Sequence, residues 1–155
     1  MKVFLGGTCN ESTWRAHLIP ELEEAGIEYF NPVREDYGRE HQEEEIRQRE
    51  EACDVLLYVL TPEIAGYLSI AEAVEDSIKR PAKTVFSVCQ EVNMHADGGG
   101  VTTLEFSESQ WRSLQAVGAM VTRNGAQFVA FGDIVSACRK VEPTMSGNCR
   151  PVRVE

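Results

Sequence analysis

The chain has 155 residues, 43% hydrophobic and 26% charged, which suits one domain of ordinary size with a single real core. Fifteen Lys plus Arg against 25 Asp plus Glu give a formal net charge of −10 and a pI near 4.8. An acidic surface of that kind repels phosphate, which argues against a broad face for polymeric nucleic acid or an anionic membrane.

Val3-Phe4-Leu5 reads as the first strand, stopped by Gly6-Gly7. A helix follows with Ser12 as N-cap and Gly26 just past its end; Trp14, Leu18, Leu22 and Ala25 make one apolar face, and Pro20 should kink or split it. Ile27 to Phe30 is the second strand, closed by Asn31-Pro32. Residues 38–52, dominated by Glu and Arg, read as a solvated helix. Asp54 to Leu60 is the strongest strand, apolar enough to be buried on both faces. Glu63 to Leu68 is a loop, and a helix then starts with Ser69 as N-cap and Glu72 at N3, stopping before Pro81. Lys83 to Val88 is the fourth strand. Residues 89–106 have no clear period and read as a flap or an interface loop. Ser107 to Met120 is helical, Gln127 to Phe131 the fifth strand, Gly132 to Val141 a last helix, and 143–155 an irregular tail after a single domain over 1–142.

Strands alternating with helices predict an α/β fold: a doubly wound, flavodoxin/Rossmann-like sandwich with a five-stranded parallel sheet and helices on both faces. Ligands of such sheets lie beyond the carboxyl ends of the strands, at the switch in strand order. The residues just after Leu5, Phe30, Leu60 and Val88 are therefore the place to look. No apolar run approaches the ~20 residues of a membrane span, and the first residues carry no signal-peptide pattern. Cys9, Cys53, Cys89, Cys138 and Cys149 form no CxxC pair, and His17, His41 and His95 match no HExxH spacing. The expectation is a reduced, cytoplasmic protein with no metal or other cofactor.

Gly6-Gly7-Thr8-Cys9 leads into a helix start, where a ligand can approach the backbone and an anion can meet free N–H groups. It is neither a GxGxxG fingerprint nor a P-loop, and a plain tight turn accounts for it equally well. Cys9 near that helix start has thiolate-favouring surroundings but no identified base. Asp36 follows the second strand and is within reach of the same crevice, or is a solvated loop residue. Glu72 has two readings that stand side by side. It closes a capping box with Ser69, or it is a carboxylate kept ionised by helix amides and available to attack an electrophilic sugar carbon.

Several stretches occur in a recognisable order: Lys2-Val3-Phe4-Leu5-Gly6-Gly7-Thr8, Trp14-Arg15, Tyr29-Phe30-Asn31-Pro32-Val33, Glu45-Ile46, Cys53 through Pro62, and Ser69-Ile70-Ala71-Glu72. Over residues 2–88 this order resembles the nucleoside 2-deoxyribosyltransferase-like family, including its divergent bacterial and phage branch. The resemblance implies retaining transfer or hydrolysis at an N-glycosidic bond of 2′-deoxyribonucleosides or their 5′-monophosphates. By it, Glu72 attacks C1′ to form a covalent deoxyribosyl intermediate, and Glu45 stands where the family has an aspartate that meets the leaving base. Phe4, Gly6, Gly7, Thr8, Trp14, Arg15, Asn31 and Ser69 fall at substrate-binding positions. Gly6, Gly7 and Thr8 would line the sugar's 5′ side, and an inward Arg15 would bind a 5′-phosphate.

Besides Glu45 in place of that aspartate, the chain departs from the family in three places. Phe4 stands where a tyrosine is common, a further aspartate in the loop before Glu72 is absent with Gly66 nearest to it by spacing, and the asparagine contributed by neighbouring subunits is not placed in this chain. Two carboxylates in unlike environments fit the chemistry, one ionised and one with its pKa raised by neighbours such as Glu43 and Glu44. The resemblance also implies a homo-oligomer whose pockets are completed across subunits, with residues 89–106 as the candidate segment. A second reading is a catalytically silent pocket that binds a nucleotide or NAD-derived metabolite as a sensor or sequestering protein, and a third is a scaffold without a working pocket.

Overall fold

The structure is a computed structural model that describes residues 1–9, 12–35, 38–95 and 99–142. Asp36, the tail 143–155 with Cys149, and part of the glycine-rich stretch after His95 lie outside the described residues. Five parallel strands form one sheet in the order β2-β1-β3-β4-β7: β1 (Lys2–Gly7), β2 (Glu28–Phe30), β3 (Val55–Leu60), β4 (Thr84–Val88) and β7 (Gln127–Val129). This is the doubly wound α/β arrangement expected from the sequence, and the order reverses between β1 and β3.

Helices cover both faces. Alternate β1 and β3 residues (Val3, Leu5, Val55, Leu57) pack on α1 (Trp14–Glu24) and α5 (Ile134–Arg139) through Leu18, Leu22 and Ile134. The other set (Phe4, Leu56, Tyr58), with Phe86 of β4, packs on α3 (Tyr67–Lys79) and α4 (Glu108–Arg123) through Ala73, Leu114 and Val121. All six β3 residues are buried, which is why that stretch is apolar without alternation.

Strand β1 does not stop at Gly6-Gly7 but runs through both, pairing Gly6 with Tyr58 and Gly7 with Val59. The glycines are needed for that closeness. A Cβ on Gly6 would lie 2.7 Å from the Tyr58 ring, and one on Gly7 (φ +123°) would lie 2.0 Å from the Val59 carbonyl oxygen. Helix α1 starts at Trp14 rather than beside Ser12, whose hydroxyl pairs with Thr61 Oγ1 at 2.8 Å. It continues through Pro20 without a break, because Pro20 and Ala16, whose carbonyl loses its partner, are both exposed. Its end is as expected: Gly26 is left-handed (φ 68°), and Ile27 N–H donates to Leu22 O at 2.9 Å.

Three further departures matter. The acidic stretch is an α-helix, α2 (Arg39–Arg47), that passes into a π-helical segment over Gln48–Ala52. The stretch 89–106, read as irregular, contains a two-stranded antiparallel hairpin of β5 (Glu91–His95) and β6 (Val101–Glu105). Most of β6 is exposed, so no apolar alternation marked it; a cross-strand bond from Thr103 Oγ1 to Asn93 Oδ1 (2.8 Å) ties the pair instead. Finally, α3 begins two residues before Ser69, at Tyr67.

Candidate active site

The last difference decides how Glu72 is held. Gly66 caps α3 in the left-handed conformation (φ 61°), and its carbonyl accepts from Ile70 N–H at 3.0 Å. Ser69 is therefore the third helical residue and Glu72 lies in the second turn, so the expected Ser69/Glu72 capping box does not exist. The amides of the helix start do not hold the Glu72 carboxylate, and the expectation that they keep it ionised is corrected with it. Burial pushes the Glu72 carboxyl up from its ordinary pKa; Arg49 opposes this, and Glu45, Asp76 and Glu75 add to it. Glu72, expected to be the easily ionised carboxylate, is thus one whose pKa is raised.

Glu72 and Glu45 line one cavity of about 330 Å3, with Gly6 and Gly7 from β1, Arg15 from α1 and Ser69 from α3. Glu45 comes from α2 and Glu72 from α3, two elements brought together by the crossovers on either side of β3. Pro32, Val33 and Arg34 form the wall beyond β2. Asn31 does not line the cavity but shapes that wall, since its Oδ1 accepts from Val33 N–H at 3.1 Å. The cavity lies at the carboxyl ends of β1 and β2, where a doubly wound sheet holds its ligands.

The other candidate residues are placed less directly. Phe4 is fully buried and stacked on Phe30, with ring centroids 6.0 Å apart, outside the cavity lining. Thr8 is buried, and its hydroxyl oxygen accepts from Thr61 N–H at 2.9 Å. Trp14 donates its indole N–H to Thr8 O at 2.9 Å and borders a separate cavity of about 570 Å3. That second cavity includes Glu63, Cys89 and Phe131 but neither Glu72 nor Glu45.

Arg15 borders the Glu72 cavity, yet its guanidinium donates to Leu5 O (3.1 and 2.8 Å), Thr8 O (2.7 Å) and Cys9 Sγ (3.8 Å). Burial lowers its pKa, with Cys9 and Glu45 opposing. Most of its donors therefore brace the β1 turn rather than await an anion.

Behind Glu72 lies a group of side chains that the sequence reading passed over. Arg49 Nε donates to Asp76 Oδ2 and to Tyr58 OH, both at 2.8 Å. Its Nη2 reaches Glu75 Oε2 at 2.6 Å and its Nη1 reaches Glu72 Oε1 at 3.4 Å. Tyr58 OH donates to Asp76 Oδ2 at 2.5 Å, and Arg80 pairs with Asp76 Oδ1. Burial of Arg49 pulls its pKa down, but the bonds to Asp76 and Glu75 and the field of Tyr58 outweigh that and leave it raised. Burial, with Asp76 next, pushes the Tyr58 hydroxyl up.

Two signals could have found this group. A tyrosine in an otherwise apolar, doubly buried strand needs a partner for its hydroxyl. Asp76 stands four residues after Glu72, on the helix face that carries the buried Ala73 and Ser77.

Among the described residues, no cluster of His, Cys, Asp or Glu has the makings of a metal site. None of their helices is long and apolar enough to cross a membrane. The fold and the paired carboxylates thus define a doubly wound α/β protein with a small cavity, lined by two glutamates, at the carboxyl end of its sheet. The chain belongs to the family described as nucleoside 2-deoxyribosyltransferase like, which matches residues 1–92, more than half of its length. No curated protein and no solved structure matches it.

Proposed function

We propose that the protein is an enzyme that cleaves or transfers the N-glycosidic bond of 2′-deoxyribonucleosides or their 5′-monophosphates, with Glu72 as nucleophile and Glu45 as acid–base partner. The observation that carries this reading is the convergence of the two carboxylates, from different helices, on one cavity beside the Gly6-Gly7 backbone. Family membership supports the reaction class.

In the first step a Glu72 carboxylate oxygen bonds to C1′ while the C1′–N bond breaks. The bonding pair goes to the base nitrogen, and the Glu45 carboxyl supplies a proton to the departing base. The oxocarbenium character of this step is stabilised by the adjacent carboxylate. In the second step a new base, or water, attacks C1′ from the opposite side and releases the Glu72 carboxylate, while Glu45 takes up the proton that the attacking group loses. The upward push on the Glu72 pKa suits the role, since a more basic carboxylate is the better nucleophile once ionised. The Gly6-Gly7 backbone borders the cavity, so a bound sugar would lie against it. Self-association that completes the cavity belongs to the same proposal.

The test is incubation with a panel of 2′-deoxynucleosides and monophosphates, with and without an acceptor base, for wild type, Glu72→Ala and Glu45→Gln. Free or exchanged base that disappears in Glu72→Ala and falls in Glu45→Gln is the expected result. Tight binding of these ligands without turnover would overturn the catalytic reading in favour of a silent sensor.

A further inference from the structure

Helix α2 has no buried residue, yet the two residues that follow it, Gln48 and Arg49, are 5% and 8% exposed. The change coincides with the start of the π-helical segment, whose wider turn re-aims successive side chains; such segments recur at functional sites. The consequence is that a guanidinium enters the space between β3 and α3. All three of its nitrogens meet carboxylates of that one helix, at Glu72, Glu75 and Asp76.

The contacts are unequal. Asp76 and Glu75 are held at 2.8 and 2.6 Å, whereas Glu72 Oε1 is 3.4 Å from Nη1. Asp76, fully buried and also bonded by Tyr58 and Arg80, fixes where the guanidinium sits. Glu72 is thus aligned by a fixed charge at the outer limit of a hydrogen bond, and Arg49 reaches it through Oε1.

We propose that Arg49 is a positioning residue for the Glu72 carboxylate: the buried fork, anchored by Asp76, Glu75 and Tyr58, orients Oε1 and leaves Oε2 as the oxygen that meets the reacting carbon. This rests on the reading of Glu72 as nucleophile. A short, linear bond to arginine would depress the carboxylate's basicity, and a site with no cation would leave its orientation unset. The observed contact avoids both. Burial remains the larger influence on Glu72 while Arg49 opposes it.

The experiment compares wild type, Arg49→Met and Arg49→Lys, each first shown to fold by circular dichroism. One readout is the carboxyl 13C titration of Glu72, assigned by its loss in Glu72→Gln. The other is the rate constant of covalent labelling by a 2-fluoro deoxynucleoside at saturation, with KM measured separately. Arg49→Met should move the Glu72 midpoint further up and slow labelling by about 10- to 100-fold with KM little changed, as expected when a reacting group is misplaced but the substrate is still held.

Arg49→Lys keeps the charge but not the fork, so it should hold the midpoint near the wild-type value and still label slowly. It therefore serves as the deciding variant if Arg49→Met fails to fold. Wild-type labelling rates in both variants, or an unmoved midpoint in Arg49→Met, would overturn the inference while the proposed function stood. A wild-type protein that binds deoxynucleotides but never becomes labelled on Glu72 would overturn the proposed function, and the positioning role with it.

Discussion

Replacing Asp76 by Asn tests the buried group behind the cavity most severely. Asp76 is fully buried and accepts from Arg49 and Tyr58 on Oδ2 and from Arg80 on Oδ1. The amide has nearly the same shape, but it removes the charge between two guanidiniums and turns one accepting oxygen into an N–H2 that faces donors. Breaking a buried ion pair by removing one partner costs about 3–5 kcal/mol. Here Arg49 keeps Glu75 at 2.6 Å and Arg80 keeps only Glu50 at 4.0 Å, so the lower end, about 3 kcal/mol, applies. That is a large part of the ~5–15 kcal/mol that holds a domain of this kind together. Tyr58→Phe, which deletes one hydroxyl, should cost about 1–2 kcal/mol. The two changes should be less than additive, because Asp76→Asn already deprives the hydroxyl of its charged acceptor. Urea denaturation followed by circular dichroism measures both, with an unchanged m-value as the sign of two-state behaviour. A loss below about 1 kcal/mol for Asp76→Asn, or strict additivity in the double variant, would refute the reasoning.

Other outcomes follow from single positions. Gly7→Ala puts a Cβ 2.0 Å from the Val59 carbonyl at a φ of +123°, so β1 cannot pair with β3; soluble yield should collapse, and a well-folded variant with wild-type Tm would be the contrary finding. Because the Glu72 pKa is raised in the folded chain, its ionised form destabilises the fold as pH climbs through that pKa. Glu72→Gln should therefore match wild type in Tm below the ordinary carboxylate pKa and exceed it at pH 7; a lower Tm at pH 7 would reverse the sign argued above. By the same shift, the acid limb of kcat/KM should lie above the ordinary carboxylate range, read from a pH–rate profile. Burial pushes Cys53 and Cys89 up to about 11 and Cys138 up to about 12, whereas Cys9 is exposed, so a thiol reagent should modify Cys9 before Cys89, and Cys53 and Cys138 only on unfolding.

The architecture was legible in the sequence because its strongest signals are local and redundant. Val55 to Leu60 is apolar throughout because both of its faces are covered, and Gly26 ends α1 because a left-handed residue is needed there. Ser107 opens α4 with a reciprocal cap to Gln110, which a Ser-x-x-Gln pattern announces. The same pattern logic misled at Ser69-x-x-Glu72: Gly66, in a conformation that only the structure reveals, starts the helix earlier and frees Glu72 from capping. The hairpin was hidden because exposed strands need no apolar alternation. Arg49 was hidden among charges that are individually indistinguishable from a solvated face, and a π turn has no composition of its own. In the candidate site, Gly6, Gly7, Arg15, Glu45, Ser69 and Glu72 do share a cavity, whereas Phe4, Thr8 and Asn31 lie outside its lining and Trp14 borders a separate cavity.

The central claim is that Glu72 becomes covalently bonded to a sugar carbon. A 2-fluoro deoxynucleoside slows the second step, so the intermediate should accumulate and the protein be digested and weighed. The account predicts a gain of one fluorodeoxypentosyl unit on the peptide that contains Glu72, one base released per labelled chain, and no gain in Glu72→Gln. Base released from an unlabelled protein, or a label that persists in Glu72→Gln, would contradict it.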